Sequence, residues 1–169
     1  MTSQPPVAQP PVTQPPAPLP AQTPSRVQVM WAWLPAAVYM LLIWVASSIE
    51  TPLSLEDVPF QDKGVHFIEY GILGLLISHA LVGTYPRVSA PRRAVLAFLG
   101  TILWGMLDEI HQAYVPGRNA DIVDVWADGL GAIMGTLVFF AYRGIRHGLS
   151  ARASRAGSHE HEEGRERVT

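Results

Sequence analysis

Cysteine is absent from this 169-residue chain, which excludes disulfide frameworks, thiolate metal sites, iron–sulfur clusters and cysteine nucleophiles. Charge is scarce as well: Asp, Glu, Lys and Arg make up 15% of the residues, against about 25% in an ordinary soluble domain. The net charge of −2 carries no basic excess. No basic patch interleaved with aromatics occurs either, so no nucleic-acid partner is expected. Neither GxSxG nor HExxH appears, and with them go the serine-hydrolase elbow and the zincin helix. Glycine is missing before Gly64 although the chain holds 14, whereas nine of its 15 prolines precede Ser25. Apolar residues reach 49%, and they are concentrated between residues 30 and 142.

The Pro-rich start, PPVAQPPVTQPPAPLPAQTP, lacks the amide donors of a helix interior and the large apolar groups of a core. It reads as a disordered cytoplasmic tail over residues 1–29, not as a signal peptide, because no charged residues lead into a short apolar run. Four hydrophobic stretches follow, at 31–48, 64–83, 94–107 (continuing to about Gln112) and 122–142. At about 1.5 Å per residue, each has the length to cross a hydrocarbon core of about 30 Å. The first is apolar all round, unlike an amphipathic helix of a soluble bundle. The expectation is an all-α polytopic membrane protein: four transmembrane helices in a compact bundle over residues 30–143, with disordered termini. A charged cytoplasmic tail over 144–169 completes the chain, and its His159 and His161 are weak metal-binding candidates.

Basic residues are sorted between the two faces. Arg26, Arg87, Arg92, Arg93, Arg143, Arg146, Arg152, Arg155, Arg165 and Arg167 fall on one side of the expected spans, and only Lys63 and Arg118 on the other. The positive-inside rule then puts both termini in the cytoplasm of a multi-pass protein of the cell membrane, with the connections 49–63 and 109–121 facing outward.

Polar residues within the spans gather at that outward end. Asp62, His66 and Glu69 repeat at i, i+4, i+7 with Tyr70 beside them. Asp108, His111 and Gln112 share a face at the end of the third stretch. Asp121, Asp124 and Asp128 open the fourth at i, i+3, i+7. Asp121 and Asp124 have a simple alternative role as an N-cap and a first-turn acid. Asp128 and Glu69 lie deeper, where a carboxylate costs about 2.5–3.5 kcal/mol to insert. Asp108 and Glu109 stand near a helix C-terminus, where the dipole disfavours anions. Seven carboxylates at this end face two basic residues, so protonation, a bound cation or a cationic ligand is required. Two histidines beside carboxylates suit a divalent ion such as Zn²⁺ or Mn²⁺, although no resident cofactor is demanded. Gly131 and Gly135 form a GxxxG step, and Gly71, Gly74 and Ala80 thin the second stretch for close helix crossing. The VPGR sequence at 115–118 reads as a tight turn carrying Arg118 back over the acids.

The segments DKGVHFIEYGILGLL (62–76) and DEIHQAYVPGRNADIVDVWADGLGAIMG (108–135) resemble the VanZ-like family of small bacterial membrane proteins, whose prototype is associated with low-level teicoplanin resistance. The resemblance covers about residues 31–142. It implies a multi-span protein of the bacterial cell envelope, and its motif positions fall on Asp62, Lys63, His66, Phe67, Tyr70, Asp108, Glu109, Gln112, Pro116, Gly117, Arg118, Asp124, Asp128 and Gly131. Members often carry asparagine where this chain has Asp128.

Together these readings favour a binding protein in the lipid bilayer. Its ligand is expected to be a cell-wall precursor, a lipid-linked glycan or a glycopeptide-antibiotic-like molecule. In that reading Lys63 and Arg118 meet phosphate or carboxylate, and Glu69, Asp108, Glu109 and Asp128 hold amines or a cation. The alternative is an intramembrane enzyme acting on a lipid-linked substrate, with His66 and Glu69 or Asp108 as acid and base, with or without a metal.

Overall fold

A computed structural model describes residues 23–49, 61–118 and 120–166, with residues 61–62 and 156–166 by backbone alone. Most of the Pro-rich tail, the connection 50–60, and the side chains of Asp62, His159 and His161 therefore lie outside the described residues. Four helices follow in order: α1 (Arg26–Ser47), α2 (Gln61–Thr84), α3 (Ala90–Gln112) and α4 (Ile122–Glu166). There is no strand among the described residues, and all four helices are long and apolar enough to cross a membrane.

Local chemistry sets where they start and stop. α1 begins ahead of its apolar run because Ser25 and Gln28 form a capping box, each side chain bonded to the other's backbone amide. α3 opens after Ser89 with Pro91 in its first turn, where a missing amide costs no helix bond. It runs through Asp108 to Gln112, as its sequence suggested. α4 continues as helix well past Tyr142, where the apolar run ends. The residues that follow contain no proline and include many good helix formers, so the charged C-terminal segment starts as an extension of the fourth span. Pro116 and Gly117 make the turn between α3 and α4: the Arg118 amide donates to the Val115 carbonyl at 3.1 Å, and Gly117 takes φ 77°. That left-handed conformation is the one a Pro-Gly type II turn requires.

The helices run up and down. Ser47 of α1 reaches Asp108 of α3 and Lys63 of α2 reaches Asp121 and Asp124, so all four helices share one end, called here the polar end. At the other end the Trp33 indole donates to the Thr84 hydroxyl at 2.8 Å, joining α1 to α2.

Burial is distributed as expected for a protein dissolved in lipid. Among the described residues the interior holds as many polar side chains as apolar ones, while Leu41, Leu103, Ile110 and Leu137 point outward. Exposed aromatics mark both ends: Tyr114 and Trp126 at the polar end, Trp31, Tyr85 and Tyr142 at the other. Trp126 and Tyr142 lie about 24 Å apart along α4, a spacing that suits the aromatic belts of a membrane protein. The protein is thus a multi-pass membrane protein.

The α2–α4 seam is the tightest packing in the bundle. A Cβ on Gly131 would meet the Phe67 carbonyl oxygen, and one on Gly135 would meet the Gly71 carbonyl oxygen. A Cβ on Gly74 would lie 2.9 Å from the Ala132 oxygen. The glycines expected to allow a close crossing do so by letting backbone touch backbone.

Candidate functional site

The polar end of the bundle draws side chains from all four helices. Directly beside the Phe67–Gly131 contact, the His66 Nδ1 of α2 lies 3.0 Å from Asp128 Oδ1 of α4. Asp128 is fully buried, because the glycine seam leaves no room for water around it. Its second oxygen has no hydrogen-bond partner and turns toward α3, where a Cβ on Gly105 would stand 2.6 Å away. Gly105 therefore makes the space that Asp128 and the Tyr70 ring occupy. The Tyr70 hydroxyl is buried here too, without a partner in hydrogen-bond geometry, and its ring stacks on His66 at 6.2 Å between centroids.

Glu109 enters from α3. One of its oxygens accepts the Asp121 amide at 2.9 Å, fastening the 113–121 connection to the bundle. Its other oxygen is buried and unpartnered. One donor atom each from His66, Glu109 and Asp128 lies within 4.8 Å of the other two. Glu69 is half-buried at the edge of this group, within electrostatic reach of His66, Asp108, Asp128 and Arg118.

Other sequence candidates have defined structural partners. Asp108 accepts the Ser47 hydroxyl at 2.6 Å and the Gln112 amide at 3.1 Å, so both its oxygens are satisfied and it joins α1 to α3. Lys63 donates to Asp124 at 2.8 Å and Asp121 at 3.0 Å, clasping α2 to the start of α4. Asp121 is also the N-cap, accepting the Val123 amide at 2.9 Å. That amide, followed by the Lys63 ammonium, holds the Asp121 carboxyl below its ordinary range.

Two expectations are refined. Arg118 lies within electrostatic reach of Glu69 but makes its hydrogen bonds elsewhere: its guanidinium donates to the Ala46 and Ile49 carbonyls at 3.1 and 3.3 Å. The Ala46 carbonyl lies in the last turn of α1 and the Ile49 carbonyl just past its end, and a cation suits that end of a helix. His111, though it shares a helix face with Asp108 and Gln112, stacks on Trp44 at 4.0 Å and bonds to the Ser48 hydroxyl at 2.8 Å. Only one histidine, His66, therefore joins the buried carboxylates. Ser47 and Gly105 were missed from sequence. The available signals were a Ser-Ser pair closing an otherwise apolar run and a glycine one turn before Asp108.

A lateral groove of about 430 Å³ opens between α3 and α4 at this end. Met106, Ile110, Ile122 and Val125 form its apolar walls, and Glu109 and Asp121 lie among its lining residues. Glu109 thus borders both the groove and the buried group.

A family model described as VanZ/LLP1 matches residues 36–143. The chain belongs to the VanZ/LLP1 family. The match begins within α1 and ends in α4, so it encloses every side chain of the buried group and the glycine seam. No curated protein and no solved structure matches the chain. In this VanZ/LLP1 protein, the segments 62–76 and 108–135 carry the residues that meet at the polar end: His66 and Tyr70 from the first, Asp108, Glu109 and Asp128 from the second.

Proposed function

We propose that this VanZ/LLP1 protein resides in the bacterial cell membrane with both termini in the cytoplasm, and that it binds a lipid-linked cell-envelope precursor at its outward polar end. The observation that carries this reading is the groove between α3 and α4. Its walls are apolar and face the surrounding lipid, and Glu109 connects it to the buried His66–Asp128 pair. A polyprenyl-like chain would lie against Met106, Ile110 and Val125, and Glu109 would meet hydroxyl or amine groups of its glycan head, leaving the phosphate to the basic residues of the outer rim. The ten-to-two division of basic residues supports the orientation. Any envelope or glycopeptide-resistance phenotype would follow from this binding.

The test is purification in native lipid followed by mass spectrometry. The wild-type chain should retain a lipid-linked phosphate or glycan, and Ala113→Trp, which fills the groove, should lose it while remaining folded. Equal lipid content in the two proteins would end the proposal.

A second reading is favoured by the unpartnered Asp128 oxygen beside His66. In it, the same residues act as acid and base on the bound lipid. Asp108 has no free oxygen for this role, so Asp128 takes the place first assigned to it. Turnover of lipid-linked phosphates by the purified chain, abolished by His66→Ala, would distinguish catalysis from binding.

A further inference from the structure

We propose that His66, Glu109 and Asp128 form a binding site for a divalent transition-metal ion, Zn²⁺ or Mn²⁺. This goes beyond the lipid-binding reading and does not depend on it. The three side chains come from α2, α3 and α4, with one donor atom of each within 4.8 Å of the other two. Metal–ligand bonds of about 2.0–2.2 Å put neighbouring donors of a tetrahedral ion about 3.4 Å apart. Adjustments on the order of 1 Å, shared among three side chains, close the set.

Two features mark the group as more than a collection of acids. Asp128 is fully buried and Glu109 is 6% exposed, yet each keeps one oxygen with no hydrogen-bond partner. A buried carboxylate oxygen left unpaired is costly, and a metal ion is one partner that carboxylates in this position can take. The nearby cations are already engaged: Lys63 with Asp121 and Asp124, Arg118 with carbonyls at and just past the end of α1. A divalent ion beside neutral His66 would balance the two carboxylates, leaving the group without net charge in a site remote from water.

The donor types narrow the choice of ion. One imidazole and two carboxylates suit Zn²⁺ or Mn²⁺ better than Mg²⁺ or Ca²⁺, which favour all-oxygen shells. Three protein donors leave at least one position for water or an oxyanion. The Tyr70 ring, stacked beside His66, holds the imidazole in place from the second layer.

The experiment uses the full-length chain purified in detergent through an affinity tag free of histidine. Metal content is measured by mass spectrometry. Chelator-stripped protein is then titrated with Zn²⁺ against a chromophoric competitor and with Mn²⁺ by electron paramagnetic resonance. One ion per chain is expected. His66→Ala and Glu109→Gln should weaken binding by at least about 100-fold, beyond the loss usual for an outer-shell partner. Asp128→Asn, which like Glu109→Gln keeps a carbonyl oxygen but loses the carboxylate charge, should weaken it to the same extent. His111→Ala and the His159→Ala/His161→Ala double variant should bind as the wild type does. Substoichiometric metal, unchanged affinity in His66→Ala and Glu109→Gln, or loss in the tail variant would overturn the site. If the two core variants fail to give helical, monodisperse protein, Co²⁺ added to the stripped wild type decides. Visible bands of a four- or five-coordinate ion support the site, and the spectrum of hydrated Co²⁺ refutes it.

Discussion

At Gly71, Gly131 and Gly135 the helices α2 and α4 meet backbone to backbone. Immediately beside this contact they meet through His66 and Asp128. The two stretches belong to one seam and share one close approach, but they use it differently. In the glycine stretch the approach yields dispersion contacts and leaves only a neutral hydroxyl, that of Thr136, buried without a partner. In the polar stretch the same approach strips water from Asp128, which then depends on whatever the neighbouring helices offer. They offer it incompletely, with an imidazole on one oxygen and nothing on the other. Close packing in one stretch thus creates the chemical demand in the next, and the residues that stabilise the bundle differ from those that make its site reactive.

The strongest way to break this contrast is Gly135→Val. Its side chain would run into the Gly71 carbonyl, and neither backbone can move without opening the seam. A loss of more than about 4 kcal/mol is expected, measured as unfolding in mixed detergent micelles. An unchanged unfolding curve would show that the seam is looser than its glycines imply.

A smaller effect is expected from Ser47→Ala, which removes the 2.6 Å bond to Asp108 but leaves Gln112 in place. Hydrogen bonds to charged groups contribute about 1.5–3 kcal/mol, so the same assay should show a loss near 2 kcal/mol. No loss would mean that α1 is held by its apolar contacts alone.

The smallest effect concerns the rim. Lys63→Met should cost about 1 kcal/mol through the partly exposed bridge to Asp124, and the difference should shrink in high salt. The pH dependence follows from Asp121, whose folded pKa lies below its ordinary value of 3.8. Its contribution is present above that value and is lost as the pH falls through the lower folded one. Because the Val123 amide is the larger cause and Lys63 the second, Lys63→Met should reduce this acid-side loss without removing it. An unchanged acid profile in Lys63→Met would show that Lys63 takes no part in it.

Much of the architecture was legible in the residues. Continuous apolar runs announced four spans, the Pro-Gly pair announced the turn, and Asp121 announced a helix start, because each of these depends on a few neighbouring residues. The polar end was legible as a gathering of Asp, Glu and His at one depth. Its internal pairings were not. Asp108 and Asp128 look alike in sequence, each an acid in an apolar helix, yet one is satisfied by Ser47 and Gln112 and the other is left half-paired. His66 and His111 each follow or precede acids at helical spacing, but only His66 faces them across the bundle, since His111 turns to Trp44.

The amino-acid sequence by itself determined the number of spans, their alternation and the end at which the acids collect, because hydrophobic length and helical period are local properties. Tertiary structure alone decided that Arg118 would cap α1, that Gly105 would make room for Asp128, and that His66, Glu109 and Asp128 would stand together. Those outcomes depend on the rotation of each helix about its axis, and that rotation is set by how the glycines of α2 and α4 let their backbones touch.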